Sequence, residues 1–146
     1  MKTFVSFDFE NDRHYKYILN GWKSNPYIDF EFDDGSTREI NSWNMGRVKA
    51  AITTKIKAAD CLLAIIGRCS NSYHKDRNLI GFKNWQYFEI AKSIELGKKV
   101  VAVKLDRNYD SPDILYSKGV SWAMSFTLES VKSALHKAEY GWWSEK

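Results

Sequence analysis

The chain has 146 residues, 44% of them hydrophobic and 27% charged, with a formal net charge of +4. That size and balance exclude a disordered or fibrous chain and predict one soluble globular domain spanning residues 1–146, with a sizeable core. The basic residues are dispersed, which is poor support for a nucleic-acid partner, and no long apolar run suggests a leader or a membrane span, so a cytoplasmic location is expected.

"KTFVSF" (2–7) reads as a strand. "NDRHYKYILNGW" (11–22) reads as a helix with Asn11 or Asp12 as N-cap and Tyr15, Ile18, Leu19 and Trp22 at helical spacing. Asn25-Pro26 marks a turn, "YIDFEF" (27–32) alternates like a strand, and "DDGSTREINSW" (33–43) is a polar loop. "MGRVKAAITTKIKAA" (45–59) is a helix whose inner face carries Val48, Ala51, Ile52 and Ile56. "DCLLAIIG" (60–67) is a fully apolar strand, in which Cys61 is a small buried hydrophobe. "RCSNSYHKDRNLIGFK" (68–83) is a long polar loop of the kind that often carries function.

"NWQYFEIAKSIELGKKVVAVKL" (84–105) is a helix, a glycine stop and a buried strand. Tyr87, Ile90, Ala91 and Ile94 form its apolar stripe, and Glu89 falls on the opposite side near Trp85 and Leu96. Taken alone, Glu89 is a surface carboxylate near a helix start, assisted by Lys92. A large apolar pair beside it suggests a second surface, either a cleft or a partner. After the loop "DRNYDSPDILYSKG" come a short strand, "VSWAMS", and a closing helix, "TLESVKSALHKAEYGW", with Thr127 as N-cap.

The alternation of strand and helix predicts an α/β fold: a flavodoxin-like, doubly wound, mostly parallel sheet of roughly four to five strands flanked by helices. Ligands of such folds bind outside the carboxyl ends of the strands, where Ser6–Glu10, the loop after Gly67 and the start of the Trp85 helix should meet. Familiar chemistries fail there. No glycine-rich dinucleotide fingerprint or phosphate loop follows the first strand. A receiver domain needs a carboxylate after the third strand, where "AIIGRCS" has none. Asp8, Glu10 and Asp12 mimic the start of a calcium loop, but Arg13 and Leu19 occupy its glycine and glutamate positions. The two cysteines and three scattered histidines lack ligand spacing, so no metal is expected.

"FVSFDFEND", "ILNGW", "INSWN", "LLAIIGRCS" and the 84–105 block together resemble the TIR-like family of small bacterial and archaeal proteins. Within it they are most similar to the TIR-like (ThsB-type) subunit of Thoeris antiphage defence. The resemblance covers about residues 3–106 and implies a TIR-like, flavodoxin-like fold. It also implies an enzyme that cleaves NAD as a substrate, without a cofactor, and makes a cyclic ADP-ribose-type signal for a downstream effector. In such enzymes a glutamate on the helix after the third strand is essential, and "YFEI" assigns that role to Glu89. The remaining substrate-binding candidates are Ser6, Phe7, Asp8, Phe9, Asn11, Arg68 and Trp85. Trp85 with Phe7 or Phe9 would stack on nicotinamide or adenine, while backbone N–H groups near Asn11 and the Arg68 guanidinium would hold pyrophosphate. Asp8 departs from the family pattern, in which a His or another polar residue stands, and a carboxylate there repels pyrophosphate. The loop 70–83, with Gly67 and Gly81 as hinges, is expected to act as a lid. The family also implies self-association, and a TIR-like adaptor without activity is the alternative reading.

Overall fold

The structure, a computed structural model, describes residues 1–12, 14–22, 29–32, 44–116 and 119–141, with side chains left aside for Phe9, Glu10 and 29–32. Among the described residues there are five strands: β1 (Lys2–Ser6), β2 (Asp29–Phe32), β3 (Cys61–Ile66), β4 (Lys99–Lys104) and β5 (Val120–Ala123). They form one sheet in the order β2-β1-β3-β4-β5, and every pairing is parallel. The register sets Ser6 beside Ala64 and carries Ile66 opposite Lys104, so the carboxyl ends of β1, β3 and β4 share one edge. This is the doubly wound architecture that the strand–helix alternation predicts.

The helices are α1 (Phe9–Asp12), α2 (Tyr15–Gly21), α3 (Met45–Ala58), α4 (Arg77–Ile80), α5 (Trp85–Glu95) and α6 (Leu128–Tyr140). Strand periodicity divides the core in two. Phe4, Leu62, Ala64, Ile66, Val100 and Ala102 face α3 and α5. Val5, Phe7, Leu63, Ile65, Val101 and Val103 face α2 and α6. β3 is buried along its whole length, which explains its uninterrupted apolar sequence. Cys61 is 1% exposed, and burial pushes its thiol up to about 12, so it packs as an inert hydrophobe. No helix among the described residues is long and apolar enough to cross a membrane.

Several local expectations change. Residues 11–22 are not one helix, and neither Asn11 nor Asp12 is an N-cap. Both sit in the single turn α1, where Asn11 Nδ2 donates to Asp8 Oδ2 at 2.7 Å and Asp12 N donates to Asp8 O at 2.7 Å. Of its helical-spacing residues only Leu19 is fully enclosed, whereas Ile18 is 42% exposed. Val48, Ile52 and Ile56 of α3 are buried as predicted, but Ala51 faces out. Thr127 does cap α6, accepting from Ser130 N at 3.1 Å. The Asn25-Pro26 turn and the 33–43 loop lie outside the described residues.

Candidate active site

α5 is aimed at the shared strand edge by its first residue. Asn84 caps it, accepting from Tyr87 N at 2.8 Å, and donates to the carbonyls of Ser70 and Ser72 at 2.9 Å each. One side chain thus ties the helix start to the chain leaving β3. The buried set on α5 is Trp85, Gln86, Phe88, Glu89, Ile90 and Ser93. Only Ile90 is shared with the predicted stripe, and Ile94 is 40% exposed. Glu89 therefore does not face away from the core; it has no exposed surface. Lys92 pairs with Glu95 at 2.7 Å instead of assisting Glu89.

The physical reason lies in the partners. A buried polar group is tolerated where hydrogen bonds replace water. Ser6 Oγ, at the end of β1, donates to Glu89 Oε1 at 2.7 Å. Gln86 Nε2 donates to Ser6 O at 3.1 Å and Ile65 O at 2.7 Å, bridging the ends of β1 and β3. Ser93 Oγ donates to Glu89 O at 2.9 Å. Three polar side chains thus fill positions that hydropathy assigns to solvent. Gln86 escaped the sequence reading, and its only signal there was its place one turn before Glu89.

The other candidates separate. Phe7, 4% exposed, is enclosed in the core on the far face of the sheet. Trp85, 3% exposed, packs edge-on against Phe88 at 5.8 Å between ring centres. Neither ring offers an open face in this conformation. The Phe9 side chain lies outside the described set. Asp8 and Asn11 bond each other, and Arg68 is exposed directly after Gly67.

Asp12, also missed as a site residue, lies over Gly67. It is 7% exposed and its Oδ2 lacks a hydrogen-bond partner among the described residues. Burial first, then the nearby Asp8, raises its carboxyl from 3.8 to about 6, against the opposing pull of His14 and Arg68. The folded chain thus holds this proton across a window, 3.8 to about 6, in which the unfolded chain has released it. The associated stability is present below that window and lost as pH rises through it. Asp12→Asn should therefore stabilise the protein at about pH 7.5, by on the order of 2 kcal/mol. The gain should vanish below about pH 4, as urea unfolding at the two pH values would show. Equal gains at both would mean that the carboxyl carries no such penalty.

The segment 70–83 is not a free flap. Gly67 N donates to Ser70 Oγ at 2.9 Å, and Ser70 Oγ donates to Ile65 O at 3.4 Å. His74 N donates to Lys83 O at 2.7 Å, and Ile80 of α4 is wholly buried. Gly81, at φ 84°, ends α4 as a left-handed cap. The expected hinges are thus a helix stop and a close-packing point.

Among solved structures the chain is similar to one described as "Crystal Structure of a prokaryotic SEFIR domain", with 12% identity and a TM-score of 0.50 over 97% of this chain and 92% of that one. At that identity the likeness concerns the fold alone. An all-parallel sheet of this strand order is the flavodoxin-like, doubly wound arrangement, here with a carboxyl bonded to the last residue of β1. Residues 4–110 match the family described as Thoeris protein ThsB, TIR-like domain. The chain belongs to that family. No curated protein matches it.

Proposed function

We propose that this ThsB-family domain cleaves NAD at Glu89 and makes a cyclic ADP-ribose isomer that signals in antiphage defence. The observation that carries the reading is the Glu89 carboxyl, held by Ser6 at the strand edge where doubly wound folds bind ligands. The C1′–N bond of the nicotinamide ribose breaks with its electron pair passing to nitrogen. Nicotinamide leaves neutral, so no general acid is needed. The ribose is left as an oxocarbenium ion, whose positive charge a nearby carboxylate stabilises.

Glu89 is enclosed, so substrate reaches it only when the surrounding chain parts. Enclosure also bears on the product. Water in the site would capture the cation and give linear ADP-ribose. With water excluded, a hydroxyl of the same ADP-ribose attacks instead and loses its proton, closing a ring at high effective concentration. Arg68, exposed beside Gly67, suits the pyrophosphate. The adaptor reading draws on exposed aromatics, among them Tyr17, Tyr73 and Tyr116, which also suit self-association.

The test follows NAD given to the purified protein, and NAD in phage-infected cells expressing it, with nicotinamide release as the first readout. The expected product is lighter than linear ADP-ribose by one water in mass spectrometry. Linear product would refute the enclosure argument and leave cleavage standing. No nicotinamide release in either setting would leave the adaptor reading.

A further inference from the structure

We propose that Gln86 is a substrate-binding residue whose side-chain oxygen accepts a hydrogen bond from a hydroxyl of the ribose that Glu89 acts on. The inference rests on the NAD-cleaving reading and names a contact that this reading does not contain.

The orientation of the Gln86 amide is settled by its partners. Ser6 O and Ile65 O, at 3.1 and 2.7 Å, are carbonyl oxygens that only accept. The NH2 group must face them, and both of its hydrogens are engaged there. The amide oxygen is therefore turned away from the strand ends. Gln86 is 2% exposed, and this Oε1 has no hydrogen-bond partner among the described residues. Buried acceptors in folded proteins nearly always find a donor. A clamp on the two strands needs only the NH2 group, so the clamp does not account for the oxygen.

Its position supplies the account. Gln86 and Glu89 are one helical turn apart on the buried face of α5, where side chains about 5–6 Å apart at Cβ act together. Both are tied to the same residue, Gln86 to the Ser6 carbonyl and Glu89 to the Ser6 hydroxyl. An acceptor fixed in orientation beside a carboxyl suits a ligand that brings neighbouring donors, and the two adjacent hydroxyls of a ribose are such a pair. A bound ribose would complete the amide's hydrogen bonding, and the clamp would hold that sugar in register with the end of β1.

The experiment measures kcat/KM for nicotinamide release with NAD and with two analogues, lacking the 2′- or the 3′-hydroxyl of the nicotinamide ribose in turn. Wild type is compared with Gln86→Met, which keeps side-chain length and removes the acceptor. Intrinsic reactivity of each analogue is common to both proteins and cancels in the ratio. We expect the preference for NAD over one analogue to fall about tenfold in Gln86→Met. Loss of the strand clamp alone would slow all three substrates equally and leave the ratios unchanged, which would overturn the proposal. A second measurement needs no variant: if wild type shows unchanged KM on removal of either hydroxyl, no ribose hydroxyl meets this oxygen and the proposal falls. Cleavage of NAD with unchanged ratios defeats this inference alone, whereas absence of cleavage and of NAD binding by wild type defeats the reading beneath it as well.

Discussion

Glu89→Gln should abolish nicotinamide release, with a fall of about a thousandfold or more, while leaving the fold intact. The substitution is nearly isosteric. The side-chain oxygen of the glutamine can still accept from Ser6 Oγ, the bond that fixes Glu89 at 2.7 Å, so packing at a position with no exposed surface is retained. What disappears is the carboxylate proposed to stabilise the positive charge developing on the ribose. Preservation of the fold follows from replacement of one hydrogen-bonded group by another of equal size, not from a solvent-facing position. The decisive comparison is a melting temperature within a few degrees of wild type beside lost NAD turnover. Full turnover by a folded Glu89→Gln protein would sink the catalytic assignment.

Gly67→Ala should destabilise the protein by about 2 kcal/mol or more. A Cβ at position 67 would lie 2.0 Å from Asp12 Oδ2, 2.7 Å from Cγ and 2.9 Å from Oδ1. Gly67 is not among the positive-φ glycines, so space and not backbone conformation excludes a side chain. Asp12 has little freedom to yield. Its side chain is short and buried, and its backbone N–H is committed to Asp8 O. Thermal or urea unfolding should also show that Gly67 and Asp12 are coupled. On an Asp12→Ala background the offending carboxyl is gone, and the cost of Gly67→Ala should largely disappear, a coupling expected only for residues in contact. Equal costs on both backgrounds would show that Gly67 is required for some other reason.

The two substitutions act at the same strand edge. Glu89 and Gln86 approach it from α5, and Asp12 approaches it from the turn after β1. The β1–α1 turn is thus stacked on the end of β3, and a change in the Asp12 charge is felt at Arg68, the residue proposed for pyrophosphate.

Sequence by itself determined the architecture. Strands and helices alternate, β3 is apolar without interruption, and Gly97 and Thr127 punctuate the helices, because backbone hydrogen bonding and burial impose local patterns that single residues report. It also singled out the helix bearing Glu89, through a family resemblance that the match over residues 4–110 bears out. The orientation of that helix was decided only by the tertiary structure. Hydropathy placed Tyr87, Ile90, Ala91 and Ile94 inside, because it counts each carboxyl or amide as a group that seeks water. In the fold, the strand-end carbonyls and the Ser6 hydroxyl take the place of water, so Gln86, Glu89 and Ser93 turn inward and Ile94 turns out. The contact of Asp12 with Gly67 was hidden by distance along the chain. Fifty-five positions separate the two residues in the chain, and only the adjacency of β1 and β3 brings the turn after one strand over the end of the other.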